Sequence, residues 1–201
     1  NTSKLVEFMC ERKKKKYELG YIMLLKVRRH IRPEPHFKLN VRKEEGENKS
    51  VTAPLSLVIT AAAKVNDVRR TLTPVLNTVV ADSVLLLIDL GGGANMLGAS
   101  VLVQTYQLLG QQPADVRDPA LLRHFFSAIQ TLNKKGLLLA YHDRSDGGLL
   151  ATVAEMMFAS HVGVNLNLTD LGEDPIASLF SEELGAVVQI RQSDVETVLS
   201  I

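Results

Sequence analysis

The sequence is short of cysteine: Cys10 is the only one in 201 residues. A lone thiol excludes an internal disulfide framework and any zinc site built from several cysteines. A reducing cytoplasm is the expected surrounding. Long apolar runs are missing too. The longest, at residues 84–88 and 136–141, fall far short of the roughly 20 residues that a bilayer span needs, so no membrane partner is expected. Near the start, Glu7, Glu11 and the lysines at 13–16 interrupt any apolar stretch. No signal peptide is therefore expected. Internal repeats are absent, and the lysine run is the one low-complexity segment.

A net charge of +1 hides a division. Residues 1–49 hold 14 Lys/Arg against 7 Asp/Glu, which leaves 9 against 15 for residues 50–201. So abrupt a change suggests two unlike pieces of chain. The first piece has one short apolar segment, at 21–27, which cannot close a core by itself. Residues 1–49 therefore read as a basic, poorly folded or non-native segment. A basic arm for nucleic acid is the competing reading, although nucleic acid is not the expected partner. The 46% hydrophobic content of the chain supports a real core elsewhere.

From residue 50 the pattern becomes that of a folded domain. LSLVITAA at 55–62 reads as a buried strand, and 66–70 as a short helix. Residues 84–90 form a second apolar strand, stopped by Gly91-Gly92-Gly93, and 97–109 read as a helix. Asp118 before Pro119 is an N-cap followed by proline at the first helical position. The helix that follows carries Leu122, Phe125, Ile129 and Leu132 at helical spacing and ends at Lys134-Lys135-Gly136. Residues 137–141 are a third strand. A helix spans 149–160, with Leu149, Val153 and Met157 on one face. Alternation at 162–168 predicts a half-exposed strand. Asp174-Pro175 opens a short helix through Phe180, and 186–190 form a further strand. Ser193-Asp194-Val195-Glu196 has the form of a capping box. This order predicts an α/β (α+β) layer fold, a mixed sheet covered by helices.

Three constellations carry chemistry. In His142-Asp143-Arg144-Ser145-Asp146-Gly147-Gly148, two carboxylates and a hydroxyl sit at a strand end before two glycines and a helix. Backbone amides freed by glycine, a helix N-terminus and carboxylate oxygens suit a phosphate with its magnesium. A plain helix-capping turn fits the same spacing. The second is the glycine-rich loop at 89–98 (DLGGGANMLG). It stands between strand and helix as phosphate loops do, but lacks the Lys-Ser/Thr of a Walker loop and the spacing of a dinucleotide fingerprint. A tight connection is an equal reading. The third, Phe180-Ser181-Glu182-Glu183-Leu184-Gly185, reads as a solvated turn, with its acidic pair available to hold a metal or an amine. His142 and Asp143 leave a strand on opposite faces, so direct pairing is not expected.

SVTAPLSLVITA, DVRRTLTPVL, LLLIDLGGGANMLGAS, QLLGQQPADVRD, LLAYHDRSDGGLL, AEMMFA and LFSEELGAVVQI occur in that order between Lys49 and Ile201. Together they resemble the large, single-chain type of phosphoribosylformylglycinamidine synthase (formylglycinamidine ribonucleotide synthetase). The resemblance implies a fragment of the synthetase module, the C-terminal α/β half of an aminoimidazole-ribonucleotide-synthetase-like fold. Residues 50–80 would be the last strand of the preceding half plus a linker, and 81–201 the α/β domain. It implies a ligase of purine biosynthesis that uses ATP, magnesium and glutamine-derived ammonia to convert formylglycinamide ribonucleotide to the amidine. Asp143 takes the position of a magnesium ligand and Ser145 that of a nucleotide contact, with Gly147 and Gly148 supporting. No catalytic residue is assigned. In the glycine loop, Gly92 and Ala94 depart from the family pattern. Sequences matching the glutaminase Cys-His-Glu triad, the ATP loop and the segment like PVGKDSMSMK do not occur. The implied expectation is a chain inactive alone, whose partners are the missing synthetase and glutaminase domains, and whose residues 1 to about 42 come from a frameshift, a wrongly joined reading frame or a fusion. The competing expectation is a non-catalytic nucleotide-binding or interaction module.

Overall fold

The structure, a computed structural model, describes residues 65, 67–110 and 112–201, together with the backbone of four short strands before them. It divides into two compact units, Asn1–Val68 and Arg69–Ile201. In the first, β1 (Tyr21–Ile22) and β2 (Phe37–Asn40) lie within the basic segment, followed by β3 (Ser50–Ala53) and β4 (Ala62–Ala63). The pairs β1–β4 and β2–β3 are antiparallel. Most of the strand expected at 55–62 lies outside the described residues.

The second unit is built on an antiparallel sheet of order β5-β7-β6. Its strands are β5 (Ser83–Asp89), β6 (Ala140–Asp143) and β7 (Gly185–Arg191). The central strand β7 has five consecutive buried residues, Ala186–Ile190, because it has a neighbour on each side and helices over its faces. Pairing is registered by Leu86 opposite Val188 and Tyr141 opposite Val188. The α/β layer class expected from the element order is the one observed, with an antiparallel sheet.

Five helices accompany the sheet: α1 (Val101–Thr105), α2 (Pro119–Lys134), α3 (Gly148–Ser160), α4 (Pro175–Phe180) and α5 (Val195–Leu199). Helix α2 starts where the Asp118-Pro119 pair predicts, with the Asp118 carboxylate accepting from the Ala120 amide at 2.7 Å. It lays Ile129 and Leu132 on Val188 and Ile190, with Val198 of α5 on the same face. The other face of the sheet holds Ala140 and Val187, packed against Leu149, Val153 and Met156 of α3. Met156 is fully buried, so the inward stripe runs through it rather than centring on Met157. Burying each such side chain is worth roughly 2 kcal/mol.

Several expectations change: the strand expected over 137–141 forms at Ala140–Asp143, and the short helix expected at 66–70 is a 3-10 turn at Val68–Arg70. The helix expected over 97–109 shrinks to Val101–Thr105. Ala99 and Gln107 both adopt φ of 57°, and the Gly98 amide is drawn to the Gln112 carbonyl at 2.7 Å, so helical geometry cannot extend either way. The strand expected over 162–168 forms no ladder among the described residues. Alternation supplies two faces but no partner strand. At 193–196 no capping box forms; the Ser193 hydroxyl turns to Asp194 instead, and Gln192–Asp194 makes a 3-10 turn ahead of α5.

Candidate functional site

Antiparallel pairing to β7 makes β5 and β6 run the same way, so their last residues, Asp89 and Asp143, reach the sheet edge where β7 begins. Three loops therefore converge there. They are the glycine loop after β5, the HDRSDGG turn after β6, and the Ser181–Leu184 approach to β7. Between them lies an open cleft of about 500 Å³, lined by Asp143, Ser145, Asp146, Glu182 and Gly98, with Leu90, Leu122, Phe125, Tyr141 and Leu184 as its apolar part.

Arg144 ties the three loops together, and nothing in the sequence singled it out. Its side chain is 1% exposed. Nε donates to the Glu183 carbonyl at 2.5 Å, and Nη2 donates to Asp89 Oδ1 at 2.5 Å and to the Leu184 carbonyl at 3.0 Å. Asp89 also accepts from the Gly91 and Gly93 amides at 3.1 and 2.9 Å. Burial alone would raise the Asp89 pKa. The Gly93 amide, the Arg144 guanidinium and the Gly91 amide outweigh it, so the carboxyl is held below the ordinary aspartate value. The one available signal was an arginine between two carboxylates at a strand end, facing a neighbouring strand that ends in aspartate.

The acidic pair at 182–183 is not a solvated turn. Glu183 is fully buried. Its Oε1 accepts from Arg117 at 3.0 Å and from the Met96 amide at 3.4 Å, while Oε2 has no partner among the described residues. Gly91 is explained by this neighbour, since a Cβ there would lie 2.7 Å from the Glu183 Cβ. Glu182 Oε1 accepts from the Val101 amide at 2.8 Å and the Gly147 amide at 2.9 Å. The carboxylate thus bridges the glycine-loop side of the cleft to the HDRSDGG turn.

Of the residues expected at the site, Asp143, Ser145 and Asp146 line the cleft together. Gly147 and Gly148 shape the turn, with φ of 83° and 68°. Their amides have partners inside the protein: Gly147 donates to Glu182, and Gly148 to the Ser145 carbonyl at 3.0 Å. At Gly148 a Cβ would sit 2.6 Å from the Ser181 carbonyl oxygen, so the glycine also lets α3 approach α4. His142 Nδ1 lies 3.5 Å from Asp143 Oδ1 but has no hydrogen-bond partner among the described residues, so the adjacent pair is close without forming a bonded dyad. His142 Nε2 lies 2.7 Å from Glu155 Oε2. Tyr141 is half-buried; burial, then the Asp143 charge, push its hydroxyl pKa up, which keeps it protonated.

Among the described residues no cluster of three or more His, Cys, Asp or Glu side chains is close enough to hold a metal. The donors that line the cleft are nevertheless hard oxygens. The Asp143 side chain is 68% exposed. Such a set fits a hydrated magnesium, which takes one or two carboxylates and completes its shell with water and phosphate.

A helix-covered antiparallel sheet with acidic and glycine-rich loops gathered at one edge defines an α/β domain with its site beyond the strand ends. Residues 80–201, more than half of the sequence, match the family model described as "AIR synthase related protein, C-terminal domain", and the chain belongs to that family. It is also similar to a solved structure described as T. maritima PurL complexed with ATP. Identity is 14%, the match covers 70% of this chain and 21% of that one, and the TM-score is 0.47. The chain spans about a fifth of that protein's length.

Proposed function

We propose that the cleft is the magnesium–nucleotide corner of an ATP-dependent carbon–nitrogen ligase. In that reading the whole enzyme converts formylglycinamide ribonucleotide, with ATP and glutamine, to formylglycinamidine ribonucleotide in purine biosynthesis, and this chain alone is inactive. The observation that carries the reading is the joint opening of Asp143 and Ser145 on one cleft with an apolar part, within a domain of the AIR-synthase-related family. Asp143, Asp146 and Glu182 make the cleft acidic, and Arg144, the one lining cation among the described residues, is committed to Asp89 and two carbonyls. A phosphate group would therefore enter only with a cation of its own. When bound, magnesium supplies neutralisation of charge on the transferring phosphoryl group. Asp143 would hold the ion, Ser145 would donate its hydroxyl to a phosphate oxygen, and the Gly147-Gly148 turn would keep bulk away from it. Leu122, Phe125 and Tyr141 would receive the apolar faces of the ligand.

Titration calorimetry with magnesium and ATP tests the reading. Binding in the millimolar range is expected, dependent on magnesium and lost in Asp143→Asn. Binding that survives Asp143→Asn, or that needs no divalent ion, would exclude this assignment. Robust ammonia-dependent amidine formation by the chain would refute its inactivity. One observation favours a second reading, a non-catalytic nucleotide-binding or interaction module: the Glu182 carboxylate already takes the Gly147 amide. Under that reading Glu182→Gln tightens ATP binding and confers no turnover.

A further inference from the structure

Helix α3 holds the end of β6 at two points. Thr152 Oγ1 donates to the Gly148 carbonyl at 2.9 Å and, more weakly, to the Asp143 carbonyl at 3.4 Å. One turn further on, Glu155 Oε2 lies 2.7 Å from His142 Nε2. Residues three apart share a helix face. The same face of α3 therefore meets the backbone of Asp143 and the ring beside its carboxylate. His142 is brought there by the pleat, on the strand face of Ala140, which packs under α3.

A carboxylate oxygen only accepts, so the 2.7 Å contact puts a hydrogen on Nε2 and fixes the plane of the ring. Nδ1 is thereby turned toward Asp143, 3.5 Å from Oδ1. The His142 side chain is 13% exposed, whereas that of Glu155 is 63% exposed. A bond to a carboxylate so open to solvent adds little to stability. What it does add is direction. The fixed ring stands as a wall beside the Asp143 carboxylate, on the side away from the cleft. An aspartate at a strand end otherwise has its staggered wells open.

We propose that His142 is a positioning residue for Asp143, with Glu155 as the anchor that sets the ring. This role rests on Asp143 being the carboxylate of the ion, as proposed above. The ring backs Oδ1 and leaves Oδ2 to face an ion in the cleft. Groups that orient a ligand from behind change ion affinity by about 10–100-fold. The ring and the carboxylate are close without a bond between them, so the lower end, about tenfold, applies.

Two measurements on the full chain test this. The first needs no ion: long-range nitrogen–proton correlation spectra show which His142 nitrogen carries the hydrogen. The parent should show Nε2–H, and so should Glu155→Gln, whose amide oxygen can still accept. Glu155→Ala should average both forms. The second is a titration with manganese in place of magnesium, in the presence of ATP, followed by electron paramagnetic resonance. The dissociation constant should rise about tenfold in Glu155→Ala and in His142→Ala, and stay near the parent value in Glu155→Gln. A merely structural role would lower the urea midpoint of these variants and leave the manganese constant unchanged, which would overturn the proposal. Asp143→Asn separates the two readings. If it abolishes manganese binding while Glu155→Ala and His142→Ala do not weaken it, the positioning role fails and the ion site stands. If manganese binds equally well in Asp143→Asn, the ion site is refuted and the positioning role falls with it. A parent ring that averages both hydrogen placements overturns the proposal whatever the ion does.

Discussion

Replacing Arg144 by methionine is the sharpest test of how the site is held. Methionine fills a similar space but carries no donors. Removing one partner of a buried ion pair costs about 3–5 kcal/mol. Asp89 keeps the Gly91 and Gly93 amides and its side chain is 27% exposed, so the lower end, about 3 kcal/mol, applies. The Glu183 carbonyl loses its short bond from Arg144, for about 1 kcal/mol more. The Leu184 carbonyl keeps the Leu90 amide at 2.9 Å and adds little. The expected loss is about 4 kcal/mol, against a total of roughly 5–15 kcal/mol for a domain of ordinary size. Urea denaturation followed by far-UV circular dichroism reads the loss as a lower midpoint at unchanged slope. Hydrogen exchange at the β7 amides places it in the Arg69–Ile201 unit. With Asp89→Asn the double variant should be less destabilised than the sum of the singles, by about 1–3 kcal/mol. A loss below about 1 kcal/mol, in the range of ordinary surface changes, would refute the clamp.

Two further outcomes follow from the same loops. Gly148→Ala places a methyl against the Ser181 carbonyl at a φ of 68°. It should cost about 3 kcal/mol from overpacking and left-handed strain together, and a thermal midpoint equal to that of the parent would contradict it. The Asp89 carboxyl has a folded-state pKa below its unfolded value, so its contribution is fully present above the unfolded value and disappears as the pH falls through the folded one. Stability should therefore decline below the ordinary aspartate range, and the decline should be shallower in Asp89→Asn. Parallel acid titrations of parent and variant that superimpose would rule out this origin.

Much of the fold was legible because its signals are local. Asp118-Pro119 and Asp174-Pro175 start helices through bonds to amides two or three residues on, and the apolar stretches over β5 and β7 fall where strands form. The HDRSDGG turn and its neighbouring motifs pointed to the cleft and to the family that residues 80–201 match. What failed locally needed a partner elsewhere in the chain. Alternation at 162–168 could not reveal that no strand pairs with it among the described residues, and the apolar spacing over 97–109 could not reveal that Gly98 is drawn to Gln112.

The sequence by itself therefore determined the layer class, most element starts, and the presence of Asp143 and Ser145 on a strand-ending turn. Only the tertiary structure decided that Arg144, silent between two carboxylates in sequence, is the buried clamp of three loops, and that Glu183 is core rather than surface. The reason is physical. A helix cap or a strand period is written within a few residues, whereas the environment of a charge depends on which strand ends the sheet brings together, and antiparallel pairing to β7 places Asp89, Arg144 and Glu183 at one edge from positions 39 to 55 residues apart from Arg144.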